Sequence, residues 1–163
     1  MNSTKIDPKY ITKSNPRIGL IALASDFMIE RDFINVIKDR EVDFFVNRIE
    51  CYNPLTKENL IKMSYKVTEV TKDILPDQDI DCVVYGCTSG TIAAGYESIE
   101  KKVKAAKPMA EVTTPSTAAI KALKKLNINK ISLFTLIAKN LTMKLWNILK
   151  AKDLKLRQIL ILI

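Results

Sequence analysis

Short apolar runs alternating with helical patterns constrain this chain more than any other feature. Residues 17–25 read RIGLIALAS, the length of a strand buried on both faces, and the charged, helix-like IERDFINVIK follows them. Residues 42–50, VDFFVNRIE, are rich in β-branched and aromatic types and break at Asn53-Pro54. From Thr56 onward Leu60, Met63, Val67, Val70 and Ile74 recur at helical spacing, one stripe facing a core. Residues 81–85 supply a third strand, about 91–104 a helix, and 110–113 a fourth strand. Thr114 followed by Pro115 marks a helix start, as N-cap and first helical residue. Asn127 to Asn129 ends that helix, and residues 130–135, KISLFT, give a fifth strand. Strands that alternate with helices predict an α/β fold, a parallel sheet with covering helices and right-handed crossovers.

Composition removes several function classes. A chain of 163 residues, 47% hydrophobic and 27% charged, builds one ordinary core. The opening residues lack the apolar stretch of a signal peptide, and no apolar run is long enough to span a bilayer, so a cytoplasmic protein without a membrane is expected. Cys51, Cys82 and Cys87 do not form a disulfide framework or a C-x-x-C pair, which suits free thiols in a reducing compartment. There is no histidine, the commonest general base and metal ligand, and no metal site is expected. The net charge of +8 suggests nucleic acid until it is located: six basic residues and one acidic fall within residues 136–163. The remainder has no aromatic-laced basic stripe, so no nucleic-acid partner is expected.

In open α/β sheets ligands bind beyond the carboxyl ends of the strands, where helix N-termini offer unpaired N–H groups. Four small polar segments meet that description: Ser25-Asp26, Cys51-Tyr52-Asn53, residues 86–91 and residues 113–117. The third, GCTSGT, carries the chemistry. A cysteine at a helix start lies at the positive end of the macrodipole, which favours thiolate and brings its pKa from about 8.5 toward 7 or below. Gly86 is expected to permit a sharp turn and Gly90 close approach of a ligand, while Thr88, Ser89 and Thr91 add hydroxyls able to hold a carboxylate beside the sulfur. The bland alternative is a buried structural cysteine, the commonest state of a free thiol and the reading kept for Cys82. A phosphate loop is disfavoured, because the Lys of G-x-x-x-x-G-K-[ST] is missing and no G-x-G-x-x-G occurs.

The ordered segments RIGLIALASDFMIERDF, NPLTKENL, DCVVYGCTSGT and AAKPMAEVTTPSTAAIKAL resemble the aspartate/glutamate racemase superfamily. The branch is that of maleate cis-trans isomerase and arylmalonate decarboxylase, with the ectoine-utilisation protein A type nearest through ASDxxxERDF and YGCTSGT. The resemblance covers roughly residues 16–135. It implies a cofactor-independent isomerase or racemase with two similar α/β lobes and one cysteine per lobe, working on opposite faces of the carbon next to a carboxylate. Cys87 matches the first-lobe cysteine. Asp26, Asn53, Gly86, Thr88, Ser89, Gly90, Thr91 and Thr114 would contact substrate, a small carboxylate or zwitterion. Where the maleate isomerases have an asparagine, this chain has Asp26, whose charge repels a dicarboxylate and attracts a cationic or zwitterionic ectoine.

Three parts are expected: an N-terminal arm over 1–16, a first lobe over 17–135 and a basic amphipathic tail over 136–163. The tail departs from the family pattern. With suitable synonymous codons its neighbouring reading frame gives PYSKELNDEIVEYFKSKRFEVK, a Pro-Tyr turn, an amphipathic helix and a strand start. A frame change near Thr135 is therefore expected, leaving the chain without a second lobe, inactive by itself and prone to self-association through an exposed lobe interface. As written, the tail can form a helix with Leu141, Leu145, Ile148 and Leu149 on one side. The alternative to an enzyme is a non-catalytic lobe or small-carboxylate-binding module.

Overall fold

The computed structural model describes Asp7 and residues 15–161, so most of the N-terminal arm, and Leu162 and Ile163, lie outside the described residues. Four parallel strands form the main sheet in the order β2-β1-β3-β4: β1 Arg17–Leu23, β2 Asp43–Ile49, β3 Cys82–Tyr85 and β4 Glu111–Thr113. The central strands are apolar on both faces because both are covered, as parallel sheets require. Alternate residues serve the two layers. Ile21, Val83 and Tyr85 enter a core with α2 (Lys57–Ser64), α3 (Val67–Lys72), α4 (Thr88–Ala94) and α5 (Tyr96–Lys104). Leu20, Ala22 and Val84 pack on the other side against Ile29 and Phe33 of α1 (Ile29–Ile37). There the Phe33 and Phe44 rings stack with centroids 5.5 Å apart.

The apolar stripe from Leu60 to Ile74 keeps its single face but not a single helix. The chain breaks at Tyr65-Lys66 between α2 and α3, and Leu60, Met63, Val67 and Ile74 stay buried across the break. The expected helix near 91–104 begins earlier, at Thr88, and is divided by Gly95, whose φ of +89° is a left-handed backbone that glycine adopts without strain. α6 (Pro115–Lys125) starts where expected, with Thr114 and Thr117 forming a reciprocal capping box.

The fifth strand does not join the main sheet. β5 (Lys130–Thr135) pairs in parallel with β6 (Lys155–Ile161) of the tail, and α7 (Lys139–Lys150) is the crossover between them. This βαβ unit repeats the local order of β1-α1-β2. The tail is therefore packed on the rest of the chain: Leu141, Leu145, Leu149 and Leu154 are buried in the same core as α4, and Ile148 lies partly buried against it. The Thr135 and Thr142 hydroxyls, 2.8 Å apart, tie the end of β5 to α7. Near the tail's end, Leu160 is exposed. Among the described residues no helix is long and apolar enough to cross a membrane.

Candidate active site

Because all four strands of the main sheet run the same way, the segments after β1, β2, β3 and β4 meet at one edge. Asp26, Asn53, residues 86–91 and Thr114 all follow carboxyl ends of that sheet. The topology thus brings the sequence-predicted residues to a common edge, although their side chains do different things there.

Cys87 is the N-cap of α4, in extended backbone, and its sulfur accepts the Gly90 N–H at 3.2 Å. Ser89 Oγ lies 3.7 Å from the sulfur, while Thr91 Oγ1 donates to the Cys87 carbonyl at 2.7 Å. A sulfur in the capping position takes the place of the usual side-chain oxygen, satisfying a backbone donor that the first helical turn would leave unpaired. The residue is 3% exposed. Burial pushes the thiol up, and the Gly90 N–H, the Ser89 hydroxyl and, least of the three, the Tyr85 hydroxyl pull it back without cancelling that effect. The expected depression of the thiol pKa is thus reversed. Removing a charge from water outweighs the field of a helix only seven residues long. At neutral pH the resting group is a thiol.

The two glycines also act differently from the expectation. Gly86 is not in the left-handed region; a Cβ there would lie 2.8 Å from Ile29 Cδ1 and 3.1 Å from the Ile21 carbonyl, so it lets α1 seat against the sheet. At Gly90 the close approach comes from the protein itself: a Cβ would stand 2.7 Å from Tyr85 Oη, 2.9 Å from Cys87 Sγ and 3.1 Å from Met63 Cε.

Asp26 caps α1, its Oδ1 accepting the N–H groups of Met28 at 2.8 Å and Ile29 at 3.0 Å. Arg48 clamps that loop from β2, donating to the carbonyls of Leu23, Ala24 and Asp26 and pairing with Glu30. Asn53 is exposed. Thr114 is fully buried; its hydroxyl meets Ser116 and Thr117, and its N–H donates to Thr117 Oγ1, so its polar groups serve the start of α6. A cleft of about 530 Å³ opens beside the starts of α4 and α6, lined by Thr88, Ser116, Ala119, Leu133, Thr135 and Leu145. Of the predicted site residues, Thr88 alone lines it. Cys82 begins β3, half-buried, where burial raises its thiol. No group of three or more carboxylates and thiols able to hold a metal occurs among the described residues.

Sequence reasoning missed Arg48 and Tyr85. Nothing local marks Arg48, whose partners are about two dozen residues away. Tyr85 carried a usable signal, because two residues before a cysteine on an extended segment is the same face.

No protein-family model and no curated protein matches this chain. Solved structures do. The maleate isomerase Iso from Pseudomonas putida S16 matches with a TM-score of 0.75 at 19% identity, over 90% of this chain and 63% of that one. A cysteine-to-serine variant of Nocardia farcinica maleate cis-trans isomerase, holding a covalently bound succinylcysteine intermediate, matches with a TM-score of 0.75 at 17% identity and the same coverage. Arylmalonate decarboxylase matches with a TM-score of 0.66 at 18% identity, over 90% of this chain and 64% of that one. The present chain thus spans less than two thirds of the length of these structures, and over that span it has their parallel α/β fold.

Proposed function

We propose that this chain provides the Cys87-bearing face of a cofactor-independent isomerase or racemase acting on the carbon next to a carboxylate. The observation that carries this reading is the Cys87 sulfur at the start of α4, held by the Gly90 N–H beside the Ser89 hydroxyl. The likeness in fold to an isomerase that forms a succinylcysteine supports it. With an alkene dicarboxylate the reaction balances without a co-reactant. Sγ bonds to one alkene carbon, and the thiol proton ends on the neighbouring carbon, giving a succinyl thioether. Rotation about the carbon–carbon bond, now single, and reversal of both steps release the trans isomer. The resting thiol suits this sequence, since it carries the proton that must be delivered.

The finer assignment is ectoine or hydroxyectoine utilisation, with Asp26 selecting a cationic or zwitterionic ligand. The Asp26 oxygen that does not cap α1 is the group available for that contact. Three free thiols suit a reducing compartment such as the cytoplasm.

Maleate incubation followed by peptide mass mapping tests the reading, because the three cysteines differ in burial. Cys87 is buried, whereas Cys51 and Cys82 are half-exposed. A succinyl adduct that saturates with maleate and falls on Cys87 is expected. Adducts distributed by exposure, with Cys51 and Cys82 ahead of Cys87, would refute it. Saturable maleate binding with no adduct would favour the second reading, a carboxylate-binding module, for which the buried neutral thiol is the supporting observation.

A further inference from the structure

Tyr85 raises a question that packing does not answer. The residue is fully buried, and among the described residues its hydroxyl is the one buried side-chain polar atom without a hydrogen-bond partner. Buried tyrosine hydroxyls almost always find partners, and a phenylalanine would fill the same core without stranding an oxygen. No well-formed hydrogen bond reaches it in the resting site, although the Cys87 sulfur is near enough for the two groups to influence each other's protonation, so the oxygen calls for a stronger acceptor than the neutral thiol.

Its position points to that partner. Tyr85 Oη and Cys87 Sγ lie 2.7 Å and 2.9 Å from the same point, the position a Cβ would take at Gly90. Any side chain at that position would stand against both atoms. A neutral thiol is a weak acceptor already engaged by the Gly90 N–H, whereas a thiolate accepts several strong hydrogen bonds. Burial first, and then the charge Cys87 carries when ionised, push the Tyr85 phenol far up, so it keeps its proton and remains a donor. Besides Tyr85, Cys51 beyond β2 is the titratable group whose charge bears on the sulfur. From the helices packed on α4, α2 presents the apolar Met63, and Lys144 of α7 donates to the Ala93 carbonyl near the far end of the helix.

We propose that Tyr85 is a positioning residue for Cys87: its hydroxyl donates to the thiolate when the sulfur gives up its proton, completing with the Gly90 N–H a two-donor cradle. The phenol proton stays on oxygen throughout, and the thiol proton goes to the substrate carbon. This inference rests on the reading of Cys87 as the reacting group.

Tyr85→Phe keeps the ring and removes the donor. Iodoacetamide labelling of Cys87, followed by peptide mapping from neutral to alkaline pH, reads the thiolate fraction, with Cys51 and Cys82 as internal references. A donor lost from a charged group lowers that fraction about tenfold at a given pH, moving the midpoint up by about one pKa unit. Thermal stability near neutral pH should be unchanged or higher, because the hydroxyl makes no well-formed hydrogen bond in the resting form. A merely structural Tyr85 predicts the opposite pair: lower stability with superimposable labelling profiles, and superimposable profiles overturn the inference. Should Tyr85→Phe fail to fold, the near-ultraviolet spectrum of the unchanged chain decides. A tyrosine difference band that titrates with the Cys87 thiolate and is absent from Cys87→Ser is expected; thiolate formation without that band overturns the inference. Maleate adducts confined to Cys87 alongside an unshifted Tyr85→Phe profile would remove the role of Tyr85 while leaving the proposed function in place.

Discussion

Alanine at Gly90 sets helix propensity against packing. Gly90 is the third residue of α4, and its backbone is not in the left-handed region, so alanine is conformationally allowed there. Propensity alone favours alanine by up to about 1 kcal/mol, and less in the first turn of a short helix. Against this, the new methyl would lie 2.7 Å from Tyr85 Oη, 2.9 Å from Cys87 Sγ and 3.1 Å from Met63 Cε. Met63 can move its terminal methyl. The Tyr85 ring is fully enclosed, and the sulfur can withdraw only by giving up the Gly90 N–H. Overpacking of this kind costs about 1–3 kcal/mol, so a net destabilisation of about 1–2 kcal/mol is expected. Urea unfolding followed by circular dichroism should show a lower midpoint with an unchanged slope, and heating a Tm lower by about 2–4 °C for each kcal/mol. A Gly90→Ala chain as stable as the original, or more so, would refute the close packing of hydroxyl, sulfur and glycine on which the account of the site depends.

Leu145→Ala should cost about 2–5 kcal/mol in the same unfolding assay, because Leu145 is 7% exposed in the shared core; a loss below about 0.5 kcal/mol would mean that the tail does not pack there. Stability should fall with rising pH on the alkaline side. The folded-state pKa values of Cys82 and Cys87 lie above the unfolded thiol value of about 8.5, so the unfolded chain releases protons first. Stability is therefore full below that value and declines as pH rises toward the folded values. Cys87→Ala should flatten the decline in urea midpoints between pH values on either side of about 8.5, and an unchanged slope would contradict the burial of the thiol. Asp26→Asn retains a capping oxygen and should cost less than about 1 kcal/mol, while weakening an ectoine-type ligand and improving a dicarboxylate. Calorimetric titrations showing equal binding of both ligand types before and after the change would dispose of the selectivity argument.

What could be read along the chain was whatever depends on near neighbours. The apolar runs at β1 and β3, the Thr114-Pro115 helix start and the placement of Cys87 at the beginning of α4 follow from side-chain period, capping chemistry and turn residues, all of which act over a few positions. Alternation of strands and helices also implied the parallel sheet, and with it one edge carrying Asp26, Asn53, Cys87 and Thr114. Partner choice is a different matter. The period of KISLFT marks a strand without saying which strand it joins, and only the packed chain pairs it with β6 and buries the face of α7 against α4. The protonation of Cys87 was misread for the same reason: the helix start is a local feature, whereas the burial that outweighs it is contributed by residues distant in sequence, such as Met63. Local pattern was enough for the strands of the main sheet, the start of α6 and the edge where these elements converge, but not for the breaks at Tyr65-Lys66 and Gly95 or for β6. Folding set the electrostatics of the sulfur and brought the Tyr85 hydroxyl and the sulfur to the same side of Gly90, because desolvation and close contact depend on atoms that are far apart along the chain.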